Sequence, residues 1–104
     1  MELSVFERIL LLNILPREGD FKTLKVVRKL QDDTGFSEDE LKALQFKQDG
    51  ARTEWRREAD IPKEVPIGEF AHQIIVERLK EIDKQKKLAL EHLPFYERFI
   101  PEGE

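Results

Sequence analysis

Between Ile67 and Ile82, apolar residues recur with a helical period. Ile67, Phe70, Ala71, Ile74, Ile75, Leu79 and Ile82 fall at the i, i+3, i+4, i+7 spacing of a single helical face. Glu69, Gln73, Glu77, Arg78, Lys80, Glu81 and Asp83 occupy the opposite side. A stripe of this length must be buried against other apolar surface, and the rest of the chain supplies it in similar stripes. The object implied is a helix-rich domain with a conventional core. At 104 residues a single domain spanning 1–104 is expected.

The first helix is expected over residues 3–15. It is apolar on nearly all sides from Ile9 onward, which suits a position in the middle of a fold. Pro16 and Gly19 end it, and the short loop to Asp20 predicts a tight helix–helix connection. Asp20 can cap a second helix over 21–33, with Phe21, Leu24, Val27 and Leu30 turned inward and Gly35 at its C-terminal end. Ser37 opens a third, short helix through the Ser-x-x-Glu capping box completed by Glu40, with Leu41 and Leu44 on its apolar side.

At Asp49-Gly50 the period changes from helical to alternating. Asp-Gly is a favoured two-residue hairpin turn, and counting outward from it pairs Lys47 with Arg52, Phe46 with Thr53 and Leu44 with Trp55. Residues 63–67 read as a third extended segment, with Pro66 marking a sheet edge. The striped helix then runs from Gly68 to about Lys87, where Lys84, Lys86 and Lys87 suit the negative end of the helix dipole. A short last helix is expected over 89–100, packing through Leu93, Tyr96, Phe99 and Ile100, with a frayed tail over 101–104. The fold class is therefore α+β and mostly helical: three N-terminal helices, a small antiparallel β-meander, a long helix and a short C-terminal helix.

The chain lacks cysteine, which removes disulfides, thiolate metal sites and thiol nucleophiles together and fits a reducing compartment. The longest unbroken apolar run, Ile9–Leu12, is far too short to span a bilayer. The sequence thus points to a cytoplasmic location without a membrane. A search for chemistry finds little. Serine occurs only at Ser4 and Ser37, and neither lies in a nucleophile turn. His72 and His92 share no metal-ligand spacing, and the glycines are isolated rather than gathered in a phosphate loop. No catalytic residue, metal or cofactor is expected, and an enzyme is disfavoured.

What survives is basic and aromatic surface. Lys22, Lys25 and Lys29 share one face of the second helix, and Lys47, Arg52, Arg56 and Arg57 gather on the hairpin. Lys47 facing Arg52 would be a destabilising like-charge pair that an anionic partner could offset. Phe95 falls between the inward residues of the last helix and is a candidate anchor for a partner. Two functions follow. The first is a protein–protein interaction role, with a second copy of the chain or a host protein as partner. The alternative is a nucleic-acid-associated regulator of winged-helix-like architecture, in which Ser37–Gln45 is the recognition helix and the basic hairpin the wing. Against it stand the net charge of −4 and the three carboxylates Glu38-Asp39-Glu40 where phosphates would approach. A metal-free hydrolase stands third.

The runs LLLNILPREGDFKTLKVVRKLQ (Leu10–Gln31) and IGEFAHQIIVERLKEIDKQKKLALEHLPFYERFI (Ile67–Ile100) make up about half of the chain. In pattern and size they resemble small uncharacterised proteins encoded in bacteriophage and prophage genomes. The resemblance implies a host-cell cytoplasmic setting and a regulatory or host-interaction role, and it implies no catalytic residues.

Overall fold

A computed structural model of the chain describes residues 1–50 and 52–101. Its elements are β1 (Glu2–Leu3), α1 (Val5–Ile14), α2 (Phe21–Thr34), α3 (Glu38–Leu44), β2 (Lys47–Asp49), β3 (Arg52–Glu54), β4 (Lys63–Glu64), α4 (Glu69–Lys84) and α5 (Leu93–Phe99), with short 3-10 turns at Arg57–Ala59 and Leu90–His92. The fold is α+β and mostly helical, in the order expected. The tail beyond Pro101 lies outside the described residues.

The stripe of α4 is the centre of the molecule. Ala71, Ile74, Ile75 and Leu79 are buried, while Ile67, Phe70 and Ile82 pack half-buried at its margins. Around them close Leu10, Leu11 and Ile14 of α1, Val27 and Leu30 of α2, and Phe95, Tyr96 and Phe99 of α5, with Leu3 and Val65 from the strands, in one cluster. α4 touches α1, α2 and α5, so a single amphipathic face organises three neighbours. Arg78 of α4 donates from Nε to the Ile14 carbonyl oxygen at 2.7 Å, satisfying an acceptor at the end of α1 that lacks a helical partner. At the other end of α1, Arg98 of α5 reaches Glu7 at 2.6 Å.

Several local expectations are corrected. Helix α1 begins at Val5 rather than residue 3, because Ser4 and Glu7 form a capping box and Leu3 is drawn into a strand. On α2 the inward direction is set by Val27, Leu30 and Thr34, so Phe21 projects to the opposite side and is 77% exposed; Leu24 is exposed as well. Asp20 caps α2 as expected, accepting from the Thr23 amide at 2.8 Å, and Gly35 ends it with an ordinary negative φ of −61°. Leu44 is buried on α3 but Leu41 is exposed. Helix α4 ends at Lys84 rather than Lys87. On α5 the 3-10 turn shifts the phase. Leu93 is exposed, and Phe95 is 2% exposed with its ring 5.0 Å from that of Phe99 one turn on. Phe95 is a core residue and offers no surface anchor.

The strands do not form one meander. β4 pairs antiparallel with β1, Glu2 opposite Glu64 and Leu3 opposite Lys63, while β2 and β3 form a separate two-stranded ladder. The hairpin pairing is also displaced by two residues from the expectation, which moves the turn by one: Lys47 faces Glu54, Gln48 faces Thr53 and Asp49 faces Arg52. The turn therefore includes Gly50, at φ +62°, rather than centring on Asp49-Gly50. Charge explains the choice. The expected register sets Lys47 against Arg52, whereas the observed one makes two opposite-charge pairs. The Thr53 hydroxyl also donates to Gln48 Oε1 at 2.9 Å, while Gln48 Nε2 donates to the Gly50 carbonyl oxygen, so the middle pair holds both strand and turn.

Candidate functional site

Helix α2 carries Lys22, Lys25, Arg28 and Lys29 along its exposed side, with Asp32 and Asp33 near its C-terminal end. It thereby concentrates positive charge in a chain whose net charge is −4. The lysine-bearing edge borders a groove of about 550 Å³ between α2 and the segment that leads into α4. Val26, Leu30, Phe70, Ala71 and Pro66 give the groove an apolar floor. Lys25 and Lys29 stand on one margin, and Glu69 on the other. Lys22 Nζ lies 4.8 Å from the centroid of the Phe70 ring, and Lys25 Nζ lies 5.4 Å from that of Phe21. Lys29 is 3.1 Å from Asp33 one turn on. The three lysines named from the sequence are thus brought together beside apolar surface. A groove of this size is large enough for several side chains of a partner.

The hairpin candidates are placed differently. Lys47 is opposite Glu54, Arg52 is opposite Asp49 and 3.8 Å from Glu54, and Arg56 is 2.8 Å from Glu58. Arg56 also helps to hold the Glu58 carboxyl below its usual range, after the backbone hydrogen bond at Glu58 itself. The Arg57 guanidinium lies 4.5 Å over the Trp55 ring. Arg52 and Arg56 therefore have a carboxylate within reach and Lys47 faces one across the ladder, while Arg57 rests on a ring, so acids are interleaved with the hairpin cations. Among the described residues the hairpin gains no third strand.

Beneath it lies a polar centre that the sequence reading missed. Arg8 is fully buried. Its Nε donates to the Thr34 carbonyl oxygen at 2.9 Å, one Nη donates to that of Gly35 at 2.6 Å, and the two Nη atoms grip Glu40 at 2.6 and 3.1 Å. The guanidinium also sits 4.0 Å over the Phe36 ring. From Phe36 an aromatic chain continues through Phe46 to Trp55, at centroid spacings of 5.3 and 5.9 Å. Trp55 Nε1 donates to Asp60, whose other oxygen accepts from the Val5 amide. Arg8 thus fastens α1 to the end of α2 and the start of α3, and the aromatic chain carries the attachment out to the hairpin. The hydrogen bonds from Arg8 are the main reason that the Glu40 carboxyl is held down to about 2. Both Glu40 oxygens are engaged, which also makes this carboxylate a fastening rather than a free acid. The available signal was a lone arginine one residue before the apolar run Ile9–Leu12.

Groups that could carry chemistry are dispersed. Among the described residues no three His, Asp or Glu side chains gather as a metal site. His72 packs against Phe99 at 5.5 Å, and His92 Nδ1 accepts from the Ala89 amide at 3.0 Å. Among the described residues no helix is long and apolar enough to cross a membrane. Comparison of the chain with protein-family models, curated proteins and solved structures gives no match.

Proposed function

We propose that the chain is a non-enzymatic binding protein that acts through contact with another protein. One observation carries this reading: acids stand beside Lys47, Arg52 and Arg56 on the hairpin, whereas among the described residues Lys22 and Lys25 of α2 have no carboxylate partner and lie beside apolar surface. Nucleic-acid affinity rests on several cations able to neutralise phosphates together. On the hairpin, Asp49, Glu54 and Glu58 stand where those phosphates would lie. A basic margin beside an apolar floor instead suits a protein surface, which offers carboxylates and an apolar anchor together. The resemblance to phage and prophage proteins favours a host protein as the partner, and the absence of cysteine favours a cytoplasmic setting.

Fluorescence anisotropy with labelled duplex and single-stranded oligonucleotides at low salt tests the choice. No binding is expected into the micromolar range. Sub-micromolar binding that weakens steeply with salt would overturn the reading. In that event, neutralising Lys47, Arg52 and Arg56 would flatten the log–log salt dependence by roughly one unit for each phosphate left without its cation.

A further inference from the structure

The groove between α2 and α4 has a composition that narrows what can occupy it. Its floor, from Val26 and Leu30 to Phe70 and Ala71, offers no charge to a ligand. Phe70 and Val26 are only half-buried, so they are within reach of an incoming side chain. On the α2 margin, Lys22, Lys25 and Lys29 project on one helical face, about one turn apart or less. Among the described residues only Lys29 of these three is paired with a carboxylate, Asp33, and that pair is exposed at the lysine end. Lys22 and Lys25 rest on aromatic rings, which satisfies them weakly and leaves their ammonium groups available for carboxylates. The α2 side is thus positive at Lys25, and at Lys22 beside Phe70, while Asp33 holds Lys29 and Glu69 lies on the far wall.

We infer that this groove binds a linear segment of a partner protein in which an apolar side chain is flanked by acidic residues. The apolar side chain fills the floor between Val26 and Phe70, and the carboxylates face Lys22, Lys25 and Lys29. This inference rests on the protein-binding reading above and adds to it the site and the chemistry of the segment. A single-stranded nucleic acid would also meet lysines and aromatic rings here. It is disfavoured because Phe21 and Phe70 lie on different sides of α2 and give no continuous stacking surface.

Selection of a random displayed peptide library on the immobilised full chain tests this directly. The enriched peptides are expected to share an apolar residue with Asp or Glu close by. Two variants locate the binding. Gly68 borders the groove with φ −75°, and a Cβ placed there meets nothing within 4 Å, so Gly68→Trp sets a bulky ring at the groove's edge without backbone strain. Lys25 is exposed, so Lys25→Glu reverses the margin while the fold is kept. Each is expected to weaken the selected peptides by roughly tenfold or more, and added salt is expected to weaken them on the unaltered chain. Enriched peptides without acids, or with affinities unchanged in both variants, would overturn the groove assignment and leave a protein-binding role standing. Failure to enrich any peptide would also overturn it. Oligonucleotide binding in the anisotropy experiment would instead remove the reading on which it rests.

Discussion

Removing the Arg8 side chain would leave the carbonyl oxygens of Thr34 and Gly35 without these donors and the partly buried Glu40 with only the Ser37 amide. Breaking one side of a buried ion pair typically costs about 3–5 kcal/mol. Arg8→Met is therefore expected to lower the stability measured by urea unfolding by about that amount. Arg8→Lys should recover little, since an ammonium group cannot reproduce the fork that reaches Glu40 and the two carbonyls. The same pair sets an acid dependence. The Glu40 carboxyl titrates at about 2 when folded, against 4.5 for a free glutamate, so its contribution is whole above pH 4.5 and is lost as pH falls from there towards 2. Allowing for the partial exposure of Glu40, that contribution is about 2 kcal/mol. Glu40→Gln is expected to lower stability at neutral pH and to flatten the decline between pH 4.5 and 2. An unchanged acid profile in that variant would show that the pair is not what acid breaks. At this scale the sequence was only partly legible. The Ser37–Glu40 capping box could be read because both partners lie within four residues. The partners of Arg8 are 26 to 32 residues away, and no local pattern announces them.

Among the elements, α4 was legible because its period is long and uninterrupted, and the structure buries the stripe where the spacing placed it. Ile75 is fully buried, and Ile75→Ala is expected to destabilise by about 2–5 kcal/mol through the transfer energy forgone and the cavity left behind. An unchanged denaturation midpoint would contradict the packing described for α4. Short elements were less legible. β1 and β4 have two residues each and depend on each other across the chain, so neither shows a period of its own. The hairpin was foreseen but its register was not, since the Asp-Gly signal fixes a turn to within one residue and cross-strand charge decides the rest. Gly50 sits in that turn at φ +62°. Gly50→Val is expected to cost about 1–3 kcal/mol from backbone strain alone, because a Cβ there meets nothing within 4 Å. Gly68→Ser should act in the opposite direction, raising the midpoint. It supplies the N-cap oxygen that α4 lacks, at a φ of −75° that serine adopts freely, and the gain should be a few tenths of a kcal/mol or more.

Across the whole molecule, what each cation touches separates structure from surface. Arg8, Arg78 and Arg98 tie helices to one another, and the arginines of the hairpin are held by acids or by Trp55. The lysines of α2 remain beside the groove. The sequence brought out those lysines as a face, because a helix places i, i+3 and i+7 together. The groove beside them was not legible, since its second wall comes from residues 66–71, about forty positions away, and is formed only when α4 docks on α2. The central claim is that this face, and not the hairpin, meets the partner. Amide chemical-shift mapping of the full chain with a peptide selected on it tests that claim most directly. The largest changes are expected on residues 22–33 and 66–71, with the hairpin, residues 47–54, undisturbed. Changes centred on the hairpin, with α2 and the start of α4 unaffected, would contradict it.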